Sequence, residues 1–148
     1  MAIYQQNKAF AGLKADAGFD RVESYPAAGN IGFGCVCGVN ADGAVVAGAG
    51  DNIAGISLHS HTIRDQYTQY DMVSAMTRGL VWCQVADGQA VTDRGAVQFN
   101  ATGQVGNTAG TAYPNAVFRG EAYTRNDGIV LACVELHSPT ATGTTAAA

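Results

Sequence analysis

The chain has 148 residues, enough for one domain with short extensions, and 47% of them are hydrophobic, so a sizeable core is possible. Eight basic and twelve acidic side chains give a net charge of −4 without any run of Lys or Arg, which argues against binding to nucleic acid or to an anionic membrane. No stretch of about 18 apolar residues is present. The N-terminus lacks the pattern of a secretory signal, so we expect synthesis in a reducing cytosol.

Residues 1–28 differ in composition from the rest of the chain. Apolar anchors, among them Phe10, Leu13 and Phe19, are scattered between alanines and glycines, and the glycines weaken any helix. This composition predicts an extended N-terminal arm with at most one helical turn. Such an arm either lies on a partner or packs against its own domain, and the sequence leaves both open.

From Ile31 onward, apolar residues alternate with small or polar ones, which is typical of strands. Because Asn or Asp before Gly favours tight turns, the predicted strands are separated by turns. The strands are predicted at 31–39, 44–47, 53–60, 72–77, 80–86, around 97–99, 117–123 and 129–136. The turns are predicted at 40–43, 87–88 (as a hairpin), 93–95, 100–103 and 126–128, and loops at 61–71 and 103–114.

Seven or eight short strands with glycine-bearing turns, and no alternation of strand and helix, predict an all-β fold. We expect a compact β-barrel or jelly-roll-like sandwich at residues 29–138. The arm at 1–28 precedes it, and a flexible low-complexity tail follows at 139–148. The predicted strands at 80–86 and 129–136 are apolar on both faces, so they need cover from the arm or from another subunit.

Histidine and cysteine pairs are the only candidates for metal chemistry. His59 and His61 share one strand face and could chelate a metal, but no third ligand is evident, so an outward polar face is favoured. Cys35 and Cys37 lack the two-residue spacing of metal and redox motifs. We interpret them, like the other two cysteines, as buried thiols. The sequence therefore predicts no metal site.

No segment carries the arrangement of an enzyme active site. The glycine-rich stretch at 48–55 lacks the third glycine of a dinucleotide motif and precedes a strand rather than a helix. No nucleophile motif and no carboxylate pair in an apolar setting is present. We expect no catalytic residues and no cofactor, and hence no enzymatic activity.

Aromatic and apolar side chains outside the predicted strands are candidates for protein contacts, since aromatics are enriched at interfaces. Trp82 lies in a two-sided apolar strand and is predicted to be core. Tyr67 and Tyr70 flank a polar loop and are predicted to be surface contacts. The candidate interface residues are Tyr4, Phe10, Leu13, Phe19, Tyr67 and Tyr70.

The order and spacing of several segments resemble the structural cement family of tailed-phage capsids over residues 9–136. No single segment is specific, since each is a glycine turn beside apolar residues. The cysteines, the His59/His61 pair and the Thr/Ala tail depart from the family pattern. The segments are Phe10–Asp16, Ile31–Gly34, Val46–Gly50, Ile53–Ile56, Tyr67–Asp71, Thr77–Trp82, Ala101–Gly106 and Pro114–Phe118.

The resemblance implies a non-enzymatic decoration protein that binds the outside of the major capsid protein lattice and stabilises the expanded head. Such a protein is made in the bacterial host cytoplasm and ends on the outer surface of the virion. Its expected partners are the major capsid protein and itself, as a homodimer or homotrimer, with no direct nucleic acid and no membrane. The alternative is another virion module, such as a tail or fibre subunit or a glycan-binding head.

Overall fold

The computed structural model describes residues 9–16, 18, 20–63 and 65–137, and all regular structure in these residues is β. This confirms the all-β fold class. The described residues include no helix that could cross a membrane. The strands are β1 (Arg21–Pro26), β2 (Ile31–Gly32), β3 (Val36–Val39), β4 (Val45–Ala47), β5 (Asn52–Ser57), β6 (Gln66–Tyr67), β7 (Met72–Gln84), β8 (Ala96–Phe99), β9 (Val105–Gly106), β10 (Thr111–Phe118), β11 (Tyr123–Thr124) and β12 (Val130–Leu136).

One antiparallel sheet organises the molecule. Its ten strands follow the order β4-β3-β5-β7-β12-β10-β8-β9, with β1 paired to β7 and β11 paired to β12. Strands β2 and β6 form a separate two-stranded sheet. One hydrophobic cluster contains side chains from strands at both ends of this order, namely β3, β5, β7, β12, β10, β8 and β9. The large sheet therefore curls around a shared core.

Strand β7 turns the corner between the two halves of this curled sheet. Before Gly79 it pairs with β1 and β5, and from Gly79 onward with β12. Ser57 pairs with Ala75 in the first half of β7, and Gly34 hydrogen-bonds to both Ser57 and Gln84. The bend therefore brings the C-terminal end of β7 close to its first half. Gly79 has φ 127°, which favours glycine. The sequence predicted two strands here, and the structure joins them into one bent strand.

The sheet β3-β5-β7 has a buried cluster on each face. In β7, Met76 belongs to one cluster and the neighbouring Ala75 to the other. Ile31 and Tyr67 from the small sheet cover the second face. Each buried large apolar side chain contributes about 1.5–3 kcal/mol to stability, so cover on both faces is a major term. For these strands, the chain supplies the cover itself.

Three predicted turns are confirmed and share one geometry. In each, a glycine in the left-handed region donates its N–H to the carbonyl three residues earlier, and the flanking strands pair. The three turns are Asn40–Gly43 (3.1 Å), Asn100–Gly103 (3.0 Å) and Arg125–Gly128 (3.0 Å). Asn at the first position of the first two also accepts backbone N–H groups through its side-chain oxygen.

The hairpin predicted at Asp87-Gly88 is wrong, although a turn forms there. Gln89 N–H donates to the Ala86 carbonyl at 3.1 Å, but β7 and β8 on either side do not pair. Instead β8 pairs with β9 and β10. The dipeptide determined the local turn, whereas the partners of the strands were determined by burial in the core.

Two further predictions are corrected. Residues 31–39 do not form one strand, because the chain turns at Gly34 (φ 69°) and separates β2 from β3. The predicted loop at 103–114 contains β9 and the first half of β10. Thr111 and Ala112 pair there with β8, which shows that polar, small residues can form a strand when a neighbouring edge is available.

The described part of the N-terminal arm packs against its own domain. Residues 21–26 form β1, and residues 12–15 hydrogen-bond to the far half of β7. Of the two alternatives left open by the sequence, the structure has the second for these residues. We call residues 9–26 the N-terminal segment. The tail at 139–148 lies outside the described residues.

Candidate functional site

The structure separates the six predicted interface residues. Tyr4 and Phe19 lie outside the described residues. Phe10 and Leu13 are half-buried in the N-terminal segment, and Tyr70 is exposed. The sixth, Tyr67, is not at the surface.

Tyr67 as a surface contact is wrong, because the side chain is 1% exposed and belongs to the second hydrophobic cluster. Its ring packs edge-on against Phe33 at 5.3 Å, and its hydroxyl donates to the Leu58 carbonyl at 2.6 Å. Burial raises the pKa of the phenol. A polar loop beside a tyrosine favours exposure in the sequence, but β6 turns this side chain into the core.

Tyr70 presents a large aromatic surface from a tight turn. Its side chain is 83% exposed, and its φ of 75° is unusual for a residue other than glycine. Asp71 secures the turn, because its carboxylate accepts the Thr68 N–H at 2.8 Å and its own N–H donates to the Thr68 carbonyl. Tyr70 N–H also donates to the Ala27 carbonyl at 3.0 Å. Backbone strain of this kind often accompanies functional positions.

Next to this turn, one face of the β1–β7 ladder is uncharged and partly exposed. Opposed residues in antiparallel strands share a face, so Val22, Ser24 and Pro26 stand with their partners Met76, Ser74 and Met72. Val22 is 37% and Met72 is 58% exposed. We call Val22, Ser24, Pro26, Met72 and Ser74 the β1–β7 face. With Tyr70, it has the apolar character of a protein contact.

A second surface feature is a groove formed by three adjoining cavities. The middle cavity, of about 520 Å³, shares Gln84 and Ile129 with one neighbour of about 320 Å³. It shares Phe10, His59 and His61 with the other neighbour, of about 190 Å³. The two outer cavities have no lining residue in common, so the three lie in a row. We call them together the aromatic groove.

Backbone hydrogen bonds of the N-terminal segment build the aromatic part of this groove. Gly12 donates to the Trp82 carbonyl at 2.8 Å and accepts from His59 N–H at 3.0 Å. A Cβ at Gly12 would lie 2.4 Å from the His59 nitrogen, so only glycine fits. This contact brings Phe10 to 4.6 Å from the His59 ring, which also packs against Phe33 at 4.8 Å.

The histidine pair is part of this aromatic cluster. The His59 and His61 rings lie 4.9 Å apart and edge to face. Burial, and then the neighbouring His61, lower the pKa of His59, which favours the neutral imidazole. Within the described residues, no group of three or more His, Cys, Asp or Glu side chains is placed to hold a metal ion.

All four cysteines are buried and form no disulfide, as expected from the sequence. Burial raises the pKa of both Cys35 and Cys37 to about 12, and also raises that of Cys83. Thiolates are the reactive form of cysteine, so these side chains are held in their unreactive form at neutral pH.

The described surface therefore offers two features suited to docking, the β1–β7 face with Tyr70 and the aromatic groove. Sequence reasoning identified Tyr70, Phe10 and Leu13 but missed Met72, Arg125 and Ile129. Met72 opens a strand, and its exposure depends on where the core ends. Arg125 and Ile129 flank a turn, and no local pattern indicates that this turn borders the N-terminal segment.

Together, the strands described above define a small all-β protein. Residues 2–137 match the phage cement family, described as structural cement protein (E217 gp24/Pam3 gp6). The chain therefore belongs to the structural cement protein family of phages and is a structural protein of phage capsids.

The fold agrees with a solved virion structure. A chain in "The capsid of Myoviridae Phage XM1" superposes with a TM-score of 0.71 at 16% identity, covering 93% of this chain and 95% of that one. At this identity the likeness concerns the fold. No curated protein matches the chain.

Proposed function

We propose that the protein is a non-enzymatic cement protein that binds the outside of the major capsid protein lattice and stabilises the expanded phage head. The observation that carries this proposal is the uncharged β1–β7 face beside the exposed Tyr70. Family membership supports the capsid as the partner. Major capsid protein in the expanded lattice would bury Tyr70 and Met72, and a protein that binds only this state stabilises it by mass action.

Binding to a repeating lattice also favours an oligomer. A single contact through two or three apolar side chains binds modestly, whereas a homodimer or homotrimer presents several copies at a high effective concentration. The protein then cross-links neighbouring capsid subunits on the outer surface of the virion. The recognition is protein to protein, and the net charge of −4 is consistent with a role without direct nucleic acid contact.

The test is binding to purified expanded heads that lack the protein. Burying a methionine contributes about 1.5–3 kcal/mol, so Met72→Asp should weaken binding at least about tenfold, and Tyr70→Asp by a similar factor. Ala41→Asp adds the same charge in an exposed turn that is not part of the β1–β7 face and serves as the matched control. Electron microscopy of decorated heads then locates the protein.

Three results would contradict the proposal. They are wild-type protein that does not bind heads, density on the tail or fibres in place of the outer shell, and Met72→Asp binding as tightly as Ala41→Asp. A mass measurement in solution would separate the homodimer from the homotrimer, and a monomer on the head would contradict the oligomeric part.

A further inference from the structure

Two hydrogen-bonding atoms in the aromatic groove lack partners. Among the described residues, His59 Nδ1 and Arg125 Nε are the buried side-chain atoms without a hydrogen bond. They come from distant parts of the sequence, yet both residues line the middle cavity. Leaving such groups unpaired costs about 1–3 kcal/mol each, so a ligand that satisfies both would gain affinity.

The Arg125 side chain lacks an acceptor at one specific atom, its Nε. Its Nη2 pairs with the Asp127 carboxylate at 3.3 Å, which leaves the Nε–H without an acceptor. The lowered pKa of His59 favours the neutral ring, and in the tautomer that carries its proton on Nε2 the unpaired Nδ1 accepts a hydrogen bond. The site therefore needs one acceptor and one donor, which is the pair of groups that a peptide unit carries.

The charges of the groove disfavour an anionic ligand. Among the described residues that line it, the lysine Lys14 and the arginine Arg125 already pair with Asp20 and Asp127. Asp65 and Asp87 also line the groove. A carboxylate or phosphate would meet more acidic than free basic groups, whereas a neutral main chain meets no such penalty.

The shape and the apolar lining favour an extended occupant. The three cavities lie in a row, which suits a polypeptide running along them more than a compact molecule. Ile129, 44% exposed, borders the middle cavity together with Phe10 and Phe33. Covering this apolar surface would add to the affinity that the hydrogen bonds provide.

We propose that the aromatic groove binds an extended main-chain segment of the major capsid protein. A peptide carbonyl of that segment accepts from Arg125 Nε–H, a peptide N–H donates to His59 Nδ1, and an apolar side chain covers Ile129 and Phe10. This inference rests on the proposed function and adds a second contact, separate from the β1–β7 face, that recognises main chain.

Site-specific cross-linking on heads identifies the occupant. His61 is exposed and lines two of the three cavities, so His61→p-benzoylphenylalanine places a photoreactive group in the groove. The same group at Asp42, in an exposed turn outside the groove, is the control. We expect mass spectrometry to find one contiguous capsid-protein segment linked to position 61 and not to position 42.

A conservative variant tests the hydrogen bond. Arg125→Lys retains a positive charge near Asp127 but removes the Nε–H donor, so binding to heads should weaken about threefold to tenfold. Arg94→Lys, at an exposed arginine outside the groove, is the matched control and should bind as the wild type does.

The outcomes distinguish this inference from the proposed function. Heads that are fully decorated while position 61 links only to a second copy of this protein, to a glycan or to nothing would overturn the groove assignment alone. Equal binding by Arg125→Lys and Arg94→Lys would do the same. Wild-type protein that fails to decorate heads would overturn both proposals.

Discussion

The two halves of the N-terminal segment both hydrogen-bond to β7, one on each side of its corner at Gly79, but they are held differently. Residues 21–26 form an ordinary ladder with charged and polar side chains partly in water. In residues 12–15, Gly12 donates to the Trp82 carbonyl and accepts from His59 N–H at a position where only glycine fits. Leu13 accepts from Trp82 N–H, and Ala15 donates to the Leu80 carbonyl. Residues 21–26 depend on strand pairing, and residues 12–15 depend on close backbone packing.

This difference indicates which half can tolerate change. A ladder of six residues distributes its stability over many small contributions, so single substitutions there should be mild. A close approach between backbones concentrates the stability in one position, so a single methyl group should be severe. The following predictions test this contrast, starting with the largest effect.

Gly12→Ala should cost roughly 3 kcal/mol of unfolding free energy, because the new Cβ meets the His59 nitrogen and the φ of 80° strains an L-residue. Gly29→Ala is the control, since nothing lies within 4 Å of a Cβ there, and it should change stability by less than about 0.5 kcal/mol. Urea unfolding measures both. A cost below about 1 kcal/mol for Gly12→Ala would mean that residues 12–15 are loosely attached.

Tyr67→Phe should cost about 1.5 kcal/mol, because it leaves the buried Leu58 carbonyl without the hydroxyl that donates to it at 2.6 Å. Leu58 precedes His59, so the loss should also speed hydrogen exchange at the His59 amide, which bonds to Gly12. Tyr70→Phe, on an exposed ring, should leave stability unchanged. Weakened binding to heads without lost stability in Tyr67→Phe would restore Tyr67 as a contact residue.

Features that depend on neighbouring residues could be predicted from the sequence, whereas those that depend on distant contacts could not. Turns at Asn40–Gly43 and Asn100–Gly103 depend on neighbouring residues, so local patterns found them, and strand alternation predicted the β class. Strand β1 escapes the sequence pattern because the adjacent polar residues Glu23 and Ser24 break any alternation, so no core face is evident. Gly79 divided the apolar pattern of β7, although the backbone continues through it and only its partners change. Burial of Tyr67 depends on the distant Ile31, with which it pairs.

Tyr25→Phe tests the ladder half and should cost only about 0.5 kcal/mol, because the hydroxyl donates to the Glu23 carboxylate at 2.6 Å in a partly exposed position. The same hydrogen bond is the main cause that lowers the pKa of Glu23. The variant should therefore raise that pKa toward its ordinary value of 4.5, as an NMR titration of the carboxyl group would show. An unchanged Glu23 pKa would contradict the bond between the two side chains.

Acid should loosen the two halves in different pH ranges. The pKa of His59 is lowered from 6.5, so the unfolded chain binds more protons than the folded one just below that pH, and stability falls as the pH drops through this range. The pKa of Glu23 is also lowered, but from 4.5, so its contribution persists above that pH and is lost only below it. Between pH 6.5 and 4.5, the amides of His59 and Trp82 should therefore lose exchange protection while those of β1 keep it.

The size of this pH effect is small, because both side chains are only partly buried and water screens their charges. His59→Phe keeps the ring contact with Phe10 and Phe33 but cannot take a proton, so it should remove the pH dependence of residues 12–15 in this range. An equal loss of amide exchange protection in both halves, or a loss that persists in His59→Phe, would contradict this prediction. The two halves would then respond to acid as one unit, and the Gly12 contact would not distinguish residues 12–15 from β1.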